Sequence, residues 1–495
     1  MDQQQDVTSH PASEDLQSLA KGGRTNVGGF FIRLLARIPF LIIGGQWYGA
    51  EALGRLAYAI VVVELAAQLC TLGLKRGLAL HLAGDGKENG AWDGLVVVLA
   101  ATLIPTALLI IFPQIMFPNS AINRNDNLLP LIIPALAASD LMLAALAYRF
   151  DVASTVRARA VIEPWTISIV AFALAWSIPR DGLLIAYAAS MAAALLASVI
   201  PFVRTFGLPT AWKPKARELY ALARRNTPLA AADAIDWGSR RLDIVLLGLF
   251  VSPKTVGIYW VAQQIASLPQ KLKTSFDPVL GPVITQKLAE GDRPGIARQI
   301  SQVGFWIIAA QAGVALVLGI SGEAIMGLIG PGRTFVGGNG ALAFLLLAEV
   351  AAAAAVVSEA ALVYIARYKN LAISLAMIGI QAALTFVFVS GLQRAGYPEL
   401  YQAAGPAMAL ACSLAFGSLA KSLLAARLLG APVTVWRWSL LLAIAATVLL
   451  SQIIIRLPEW TELIFGLPAM LALYGWVIWK YGFGEDDRLL FKLSK

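Results

Sequence analysis

The chain has 495 residues, is 58% hydrophobic and only 14% charged, and carries a formal net charge of +9. A soluble domain of this length uses about 25% charged residues, so the composition excludes a water-soluble enzyme or binding module and defines a polytopic membrane protein. The basic excess is therefore read loop by loop as topology, and not as a nucleic-acid footprint.

Residues 1–25 are polar and lack an apolar h-region, which predicts a cytoplasmic tail and no signal peptide. Apolar runs of spanning length then recur at 26–47, 54–74, 92–112, 128–148, 160–178, 182–203, 228–250, 255–276, 300–320, 340–366, 370–392, 402–426, 437–455 and 462–480. That predicts an all-α bundle of about 14 transmembrane helices. The first run carries Arg33 and Arg37, at i and i+4 on one face. The first half also holds the intramembrane acids Glu64 and Asp140. A basic loop at 204–225 leads into the most unusual run, 226–250, which contains Asp233, Asp236, Arg240, Arg241 and Asp243. Read as one helix, it puts Asp233, Asp236, Arg240 and Asp243 on a single face. A charge at the bilayer centre costs about 2.5–3.5 kcal/mol on insertion scales, so this face must pair internally or line a wet cavity. The second half adds Glu349 and Glu359.

Basic residues test the span count. With the N-terminus inside, the expected cytoplasmic loops and tails hold roughly 28 Lys and Arg against roughly 7 outside, the positive-inside pattern for both termini in the cytoplasm. Trp and Tyr gather near run ends, among them Trp47, Trp212, Trp436, Trp438 and Trp479, as an interfacial belt does. Cys70 and Cys412 lie in apolar runs and His10 and His81 stand apart. No metal site, disulfide framework or His-driven hydrolase follows from them, and no cofactor is expected. Gly84-Asp-Gly-Lys87 lacks the spacing of a phosphate-binding loop, so nucleotide chemistry is not supported and the chain is not read as an enzyme.

Shifting the chain by about 203 residues, or about six spans, lays Arg37 on Arg240, Gly45 on Gly248, Gly54 on Gly257 and Ala59 on Ala262. An even offset preserves orientation, which predicts two parallel lobes at 26–203 and 226–427, a linker at 204–225, and two additional helices with a cytoplasmic tail at 428–495. In that arrangement Arg33, Arg37, Arg240 and Arg241 converge on a central cavity suited to a multivalent anion, because guanidinium forks match phosphate oxygens. Asp233, Asp236, Asp243, Glu64, Asp140, Glu349 and Glu359 either balance those charges or bind a coupling H+ or Na+.

Two stretches carry a resemblance. Arg241-Leu-Asp-Ile-Val-Leu-Leu-Gly-Leu-Phe-Val-Ser252 with Thr255-Val-Gly-Ile-Tyr-Trp-Val-Ala262, and Leu53-Gly-Arg-Leu-Ala-Tyr-Ala59, resemble the half-openings of oligosaccharide flippases of the multidrug/oligosaccharidyl-lipid/polysaccharide exporter superfamily. The resemblance implies two six-helix lobes and alternating access. It implies transport of a polyprenyl-diphosphate-linked oligosaccharide across the inner membrane for surface polysaccharide, with membrane lipids and polymerase machinery as partners. A cation-coupled multidrug exporter of the same fold is the alternative. There Asp233, Asp236 and Glu64 bind and the arginines are structural.

Overall fold

A chain crossing lipid has to satisfy its backbone hydrogen bonds within itself, and long apolar segments do so as helices. The computed structural model describes residues 38–82, 89–209, 212–274 and 290–484, together with Ile284, Lys287 and Leu288. Among them there is helix and turn and no strand. Nine helical stretches of the described residues are long and apolar enough to cross a membrane, and Trp438–Ile454 is a shorter apolar helix. This is a multi-pass α-helical membrane protein.

The first unit runs to Arg241 and the second begins at Leu242. In the first, α1 (38–48) leads into α2 (Gly49–Cys70), a turn, and α3 (Leu74–Leu82). There follow α4 (Gly90–Ile111), α5 (Ile132–Tyr148), a continuous helix α6 (152–174), α7 (Gly182–Phe206) and α8 (Ala216–Ser239). The second unit comprises α9 (Leu242–Phe250), α10 (Pro253–Thr274), α11 (Arg293–Ile320), α12 (Gly322–Ile329), α13 (Asn339–Ile365), α14 (Arg367–Arg394) and α15 (Ala404–Leu429). It ends with α16 (Trp438–Ile454) and α17 (Leu467–Val477).

The packing scheme repeats inside each unit. In the first, α5 touches α2, α4 and α7, α7 touches α6, and α2 touches α4. In the second, α13 touches α10, α11 and α15, α15 touches α14, and α10 touches α11. So α2, α4, α5, α6 and α7 correspond in order to α10, α11, α13, α14 and α15 by their packing, and the offset of about 203 residues overlays α2 on α10 and α4 on α11, whereas the later pairs stand further apart in the chain. Even a side-chain detail recurs. Ser139 of α5 meets Ser198 of α7 at 2.9 Å, and Ser358 of α13 meets Ser422 of α15 at 3.3 Å. Hydroxyl pairs of this kind tie helices whose remaining contacts are apolar.

The run 226–250 is not one helix. Arg240 and Arg241 form a turn between α8 and α9, closed by bonds from their amides to the carbonyls of Trp237 and Gly238 at 3.3 and 3.1 Å. Gly238 disfavours helix, and the tightened i to i−3 bonds end α8 there. The single charged face expected for Asp233, Asp236, Arg240 and Asp243 is therefore broken. The division between units falls at the same turn, later than the boundary at 226 read from the sequence, because α8 packs on α2, α3 and α4.

That packing depends on Gly73, in the turn after α2. Its φ is 72°, and a Cβ there would lie 2.6 Å from the Ala230 nitrogen and the Asn226 carbonyl oxygen, both backbone atoms of α8. Neither atom has room to give way. Gly73→Ala is expected to lower stability by about 1–3 kcal/mol, from the left-handed backbone and the overpacking together. Thermal unfolding of the purified protein in detergent checks this.

The last two helices belong to the core of the second unit. Leu440, Ala443, Tyr474, Val477 and Ile478 pack with Phe305, Ile308 and Ala309 of α11. The Tyr474 hydroxyl donates to the Ala309 carbonyl at 2.9 Å. The Arg437 guanidinium stacks on the Phe305 ring at 4.0 Å and donates to the Gly482 carbonyl.

Candidate functional site

Intramembrane ionisable side chains are functional candidates by default, so the site is built from where they lie. In the first unit they close into a ring. Glu64 and Gln68 stand one turn apart on α2. Lys75, at the start of α3, donates to Gln68 Oε1 at 3.3 Å and to Asp140 Oδ2 at 2.8 Å. Arg159 donates to Asp140 Oδ1 and, at 2.9 Å, to Glu163 Oε2. Its guanidinium also reaches Met191 Sδ of α7 at 3.9 Å. One turn back on α7, Tyr187 donates to Glu64 Oε1 at 3.4 Å. The ring thus holds three carboxylates, Glu64, Asp140 and Glu163, and two cations, Lys75 and Arg159.

Local structure aims these groups. The turn after α2, with Leu72 and Gly73 at positive φ, swings Lys75 towards α5 and the adjacent Arg76 towards α8. Residues Arg157–Ile162 of α6 form a π-helical segment, whose wider turn carries Arg159. Such segments gather at functional positions because the extra residue re-aims a side chain. The ring is mostly buried but not sealed, with the Asp140 side chain 19% and Lys75 34% exposed. Carboxylates held this way can exchange partners without leaving a lone charge in an apolar bundle.

The other predicted site residues are distributed as follows. Asp233 is buried, with its Oδ1 in an ion pair 2.9 Å from Arg76 Nε. Asp243 is buried at the start of α9, where its Oδ2 accepts from the Tyr259 hydroxyl at 2.7 Å and from Gln263 Nε2 at 2.9 Å. Glu359 of α13 pairs with Lys421 of α15 at 3.0 Å. Glu349 is half-buried on α13. Arg240 is exposed on the turn between α8 and α9, and Arg241 beside it is half-buried. Arg33, Arg37 and the Asp236 side chain lie outside the described residues.

Lys75, Arg159, Glu163 and Lys421 do not stand out as site residues in the sequence. There Lys75, Arg159 and Lys421 read as topology signals of cytoplasmic loops. A cue is present in Arg159 and Glu163, spaced i, i+4 at the entry of an apolar run. Arg55, at the start of the run 54–74, is a further buried charge, and its Nη2 donates to both Asp126 oxygens at 3.0 and 3.1 Å.

No protein-family model and no curated protein sequence matches the chain. Solved structures do. The chain is similar to the lipid II flippase MurJ in an inward closed conformation, with a TM-score of 0.69 at 12% identity, over 94% of this chain and 98% of that one. It is similar to an inward-facing multidrug resistance MATE transporter of the MOP superfamily, with a TM-score of 0.64 at 14% identity, over 80% and 94%. A point mutant of a MATE protein superposes with a TM-score of 0.52 at 14% identity, over 83% and 96%. The chain thus shares the fold of these solved structures, which include both a flippase and drug-resistance proteins.

Proposed function

We propose that the chain is a flippase that moves a polyprenyl-diphosphate-linked oligosaccharide across the cytoplasmic membrane by alternating access, in the service of surface polysaccharide synthesis. The diphosphate would sit on Arg33, Arg37, Arg240 and Arg241, whose forked donors suit phosphate oxygens. The sugars would occupy hydrated space and the polyprenyl tail would stay in lipid. Both termini would face the cytoplasm. The observation that carries this reading is the extent of the likeness to the lipid II flippase, which runs through 94% of this chain, against 80% for the MATE transporter. The compensation of Asp140, Asp233 and Glu359 by basic neighbours supports charge balance as the role of these acids.

The second reading, a cation-coupled multidrug exporter, is favoured by Asp243, a buried acid held by a tyrosine and a glutamine. The two readings separate in cells. Arg37→Ala and Arg240→Ala are each expected to reduce export of lipid-linked glycan at least tenfold, with normal amounts of protein in the membrane. Normal export by both variants, together with drug sensitivity on deletion, would select the exporter.

A further inference from the structure

The connection from α7 to α8 is clasped to the start of α4. Trp212 of the connection donates its indole N–H to Asp93 Oδ1 at 2.9 Å, and Trp92, the residue before that acid, donates to the Gly207 carbonyl at 3.2 Å. Their rings extend the clasp. Trp92 lies 6.4 Å from Trp212 and 5.2 Å from Phe202 between centroids, and Phe202 lies 5.1 Å from Phe206. The Arg149 guanidinium, from the turn between α5 and α6, sits 5.7 Å over the Phe206 ring. One end of the first unit, made of that turn, the start of α4 and the connection, is thereby a single surface floored by aromatic rings.

Its cations are in excess. Arg149, Arg204, Lys213, Arg217, Arg224 and Arg225 are all exposed, and among the described residues none of them is in an ion pair. The acids beside them are already held. Asp93 has Trp212, Asp151 accepts from the Ser154 amide and hydroxyl at 3.0 and 2.6 Å, and Glu218 pairs with Lys215 at 3.2 Å. Apolar tips stand among the cations: Phe150 is 92% exposed, Leu208 70% and Tyr220 69%. On α8, Arg217, Tyr220 and Arg224 follow at i, i+3 and i+7 along one exposed face. Phe150 holds φ at 61°, a left-handed conformation that a bulky side chain adopts at a cost. Nothing in its packing offsets that cost, so the ring is presented outwards. Guanidinium and ammonium groups suit phosphate oxygens, and aromatic rings settle where headgroups meet acyl chains. A layer of phosphates over hydrocarbon matches both kinds of side chain at once.

We propose that this surface is a binding site for anionic phospholipid, with the phosphodiester on Lys213, Arg217 and Arg204 and with Phe150 and Leu208 dipping into the acyl boundary. A soluble anion would leave those apolar tips in water, which is why the partner is a lipid. The site lies apart from the ring of Glu64, Asp140 and Glu163, and it holds whichever substrate the protein moves.

The experiment titrates the melting temperature of the full chain in a neutral detergent with phosphatidylglycerol, phosphatidylcholine or inorganic diphosphate. The proteins are the wild type, Lys213→Gln/Arg217→Gln, Phe150→Gly and Arg367→Gln/Lys369→Gln. The last removes the same two kinds of charge from exposed positions of the second unit. All four substituted cations are exposed, so without lipid these variants are expected to melt close to the wild type. With phosphatidylglycerol the wild type is expected to gain several degrees, saturably, and with phosphatidylcholine or diphosphate much less. Lys213→Gln/Arg217→Gln is expected to lose most of that gain, and Phe150→Gly to need several-fold more lipid to reach half of it. Arg367→Gln/Lys369→Gln is expected to keep the gain whole. An equal gain in phosphatidylcholine or diphosphate would overturn the proposal, as would a full gain in Lys213→Gln/Arg217→Gln or an unchanged half-point in Phe150→Gly. So would an equal loss in Arg367→Gln/Lys369→Gln, which would reduce the effect to net charge. None of these residues belongs to the diphosphate site proposed above, so lipid binding and glycan export can fail separately.

Discussion

Replacing Arg55 with alanine is expected to destabilise the first unit by about 3–5 kcal/mol, the usual consequence of removing one partner of a buried ion pair. Arg55 is 9% exposed and Asp126 is fully buried. Nη2 of the guanidinium donates to both Asp126 oxygens at 3.0 and 3.1 Å, Nη1 donates to the Ala121 carbonyl at 2.6 Å, and the group lies 4.7 Å above the Phe117 ring. Without it, a carboxylate is left buried with only the Asn123 amide, at 2.7 Å, among these donors. That amide belongs to the connection between α4 and α5, which Asn123 and Asn125 tie further to Asp181 at 3.3 and 2.9 Å. The variant should therefore melt lower and become open to proteolysis between 112 and 131. Arg55→Lys should recover only part of the loss, because a single ammonium cannot serve Asp126 and the Ala121 carbonyl from separate nitrogens or lie flat over Phe117.

Arg159→Leu is expected to have the second large effect, also about 3–5 kcal/mol, because it strips Asp140 and Glu163 of their shared cation. The double variant Arg159→Leu/Asp140→Leu should recover only part of that loss, since it removes the desolvated Asp140 but takes Arg159 from Glu163 and Asp140 from Lys75. A double-mutant cycle on unfolding free energy checks it, with a coupling of roughly 1–3 kcal/mol expected between neighbouring charges. If the double variant is stable yet exports no glycan, the ring acts in the transport cycle. If it is stable and active, the ring is scaffolding alone.

Much of the architecture is legible in the chain because lipid imposes so few solutions. Helix fills most of the described part of every expected span, and the boundaries of α4, α13 and α16 agree closely with the runs 92–112, 340–366 and 437–455. The repeat is legible too, since the offset that pairs Gly54 with Gly257 also pairs α2 with α10. The site is less so. Hydropathy locates spans but does not show where a helix breaks, so it conceals the turn at Arg240–Arg241 and suggests a continuous charged face there. Loop charge assigns orientation in bulk, and it hides that Lys75, Arg159 and Lys421 lie within helices and pair with intramembrane acids. Which acid meets which base depends on helix rotation and on local features such as the π-helical turn at Arg157–Ile162, neither of which apolar periodicity encodes.

The docking of α16 and α17 on α11 has a consequence for biosynthesis. The Ala309 carbonyl and the Phe305 ring receive Tyr474 and Arg437 from segments that leave the ribosome long after α11 itself. Until they arrive, an apolar wall of the growing polypeptide must be shielded by the insertion machinery or by acyl chains, at the stage when half-made membrane proteins are most exposed to quality control. Maturation of the second unit thus waits on translation of α16 and α17, and a nonsense codon shortly before 437 should yield a product that is inserted and then degraded.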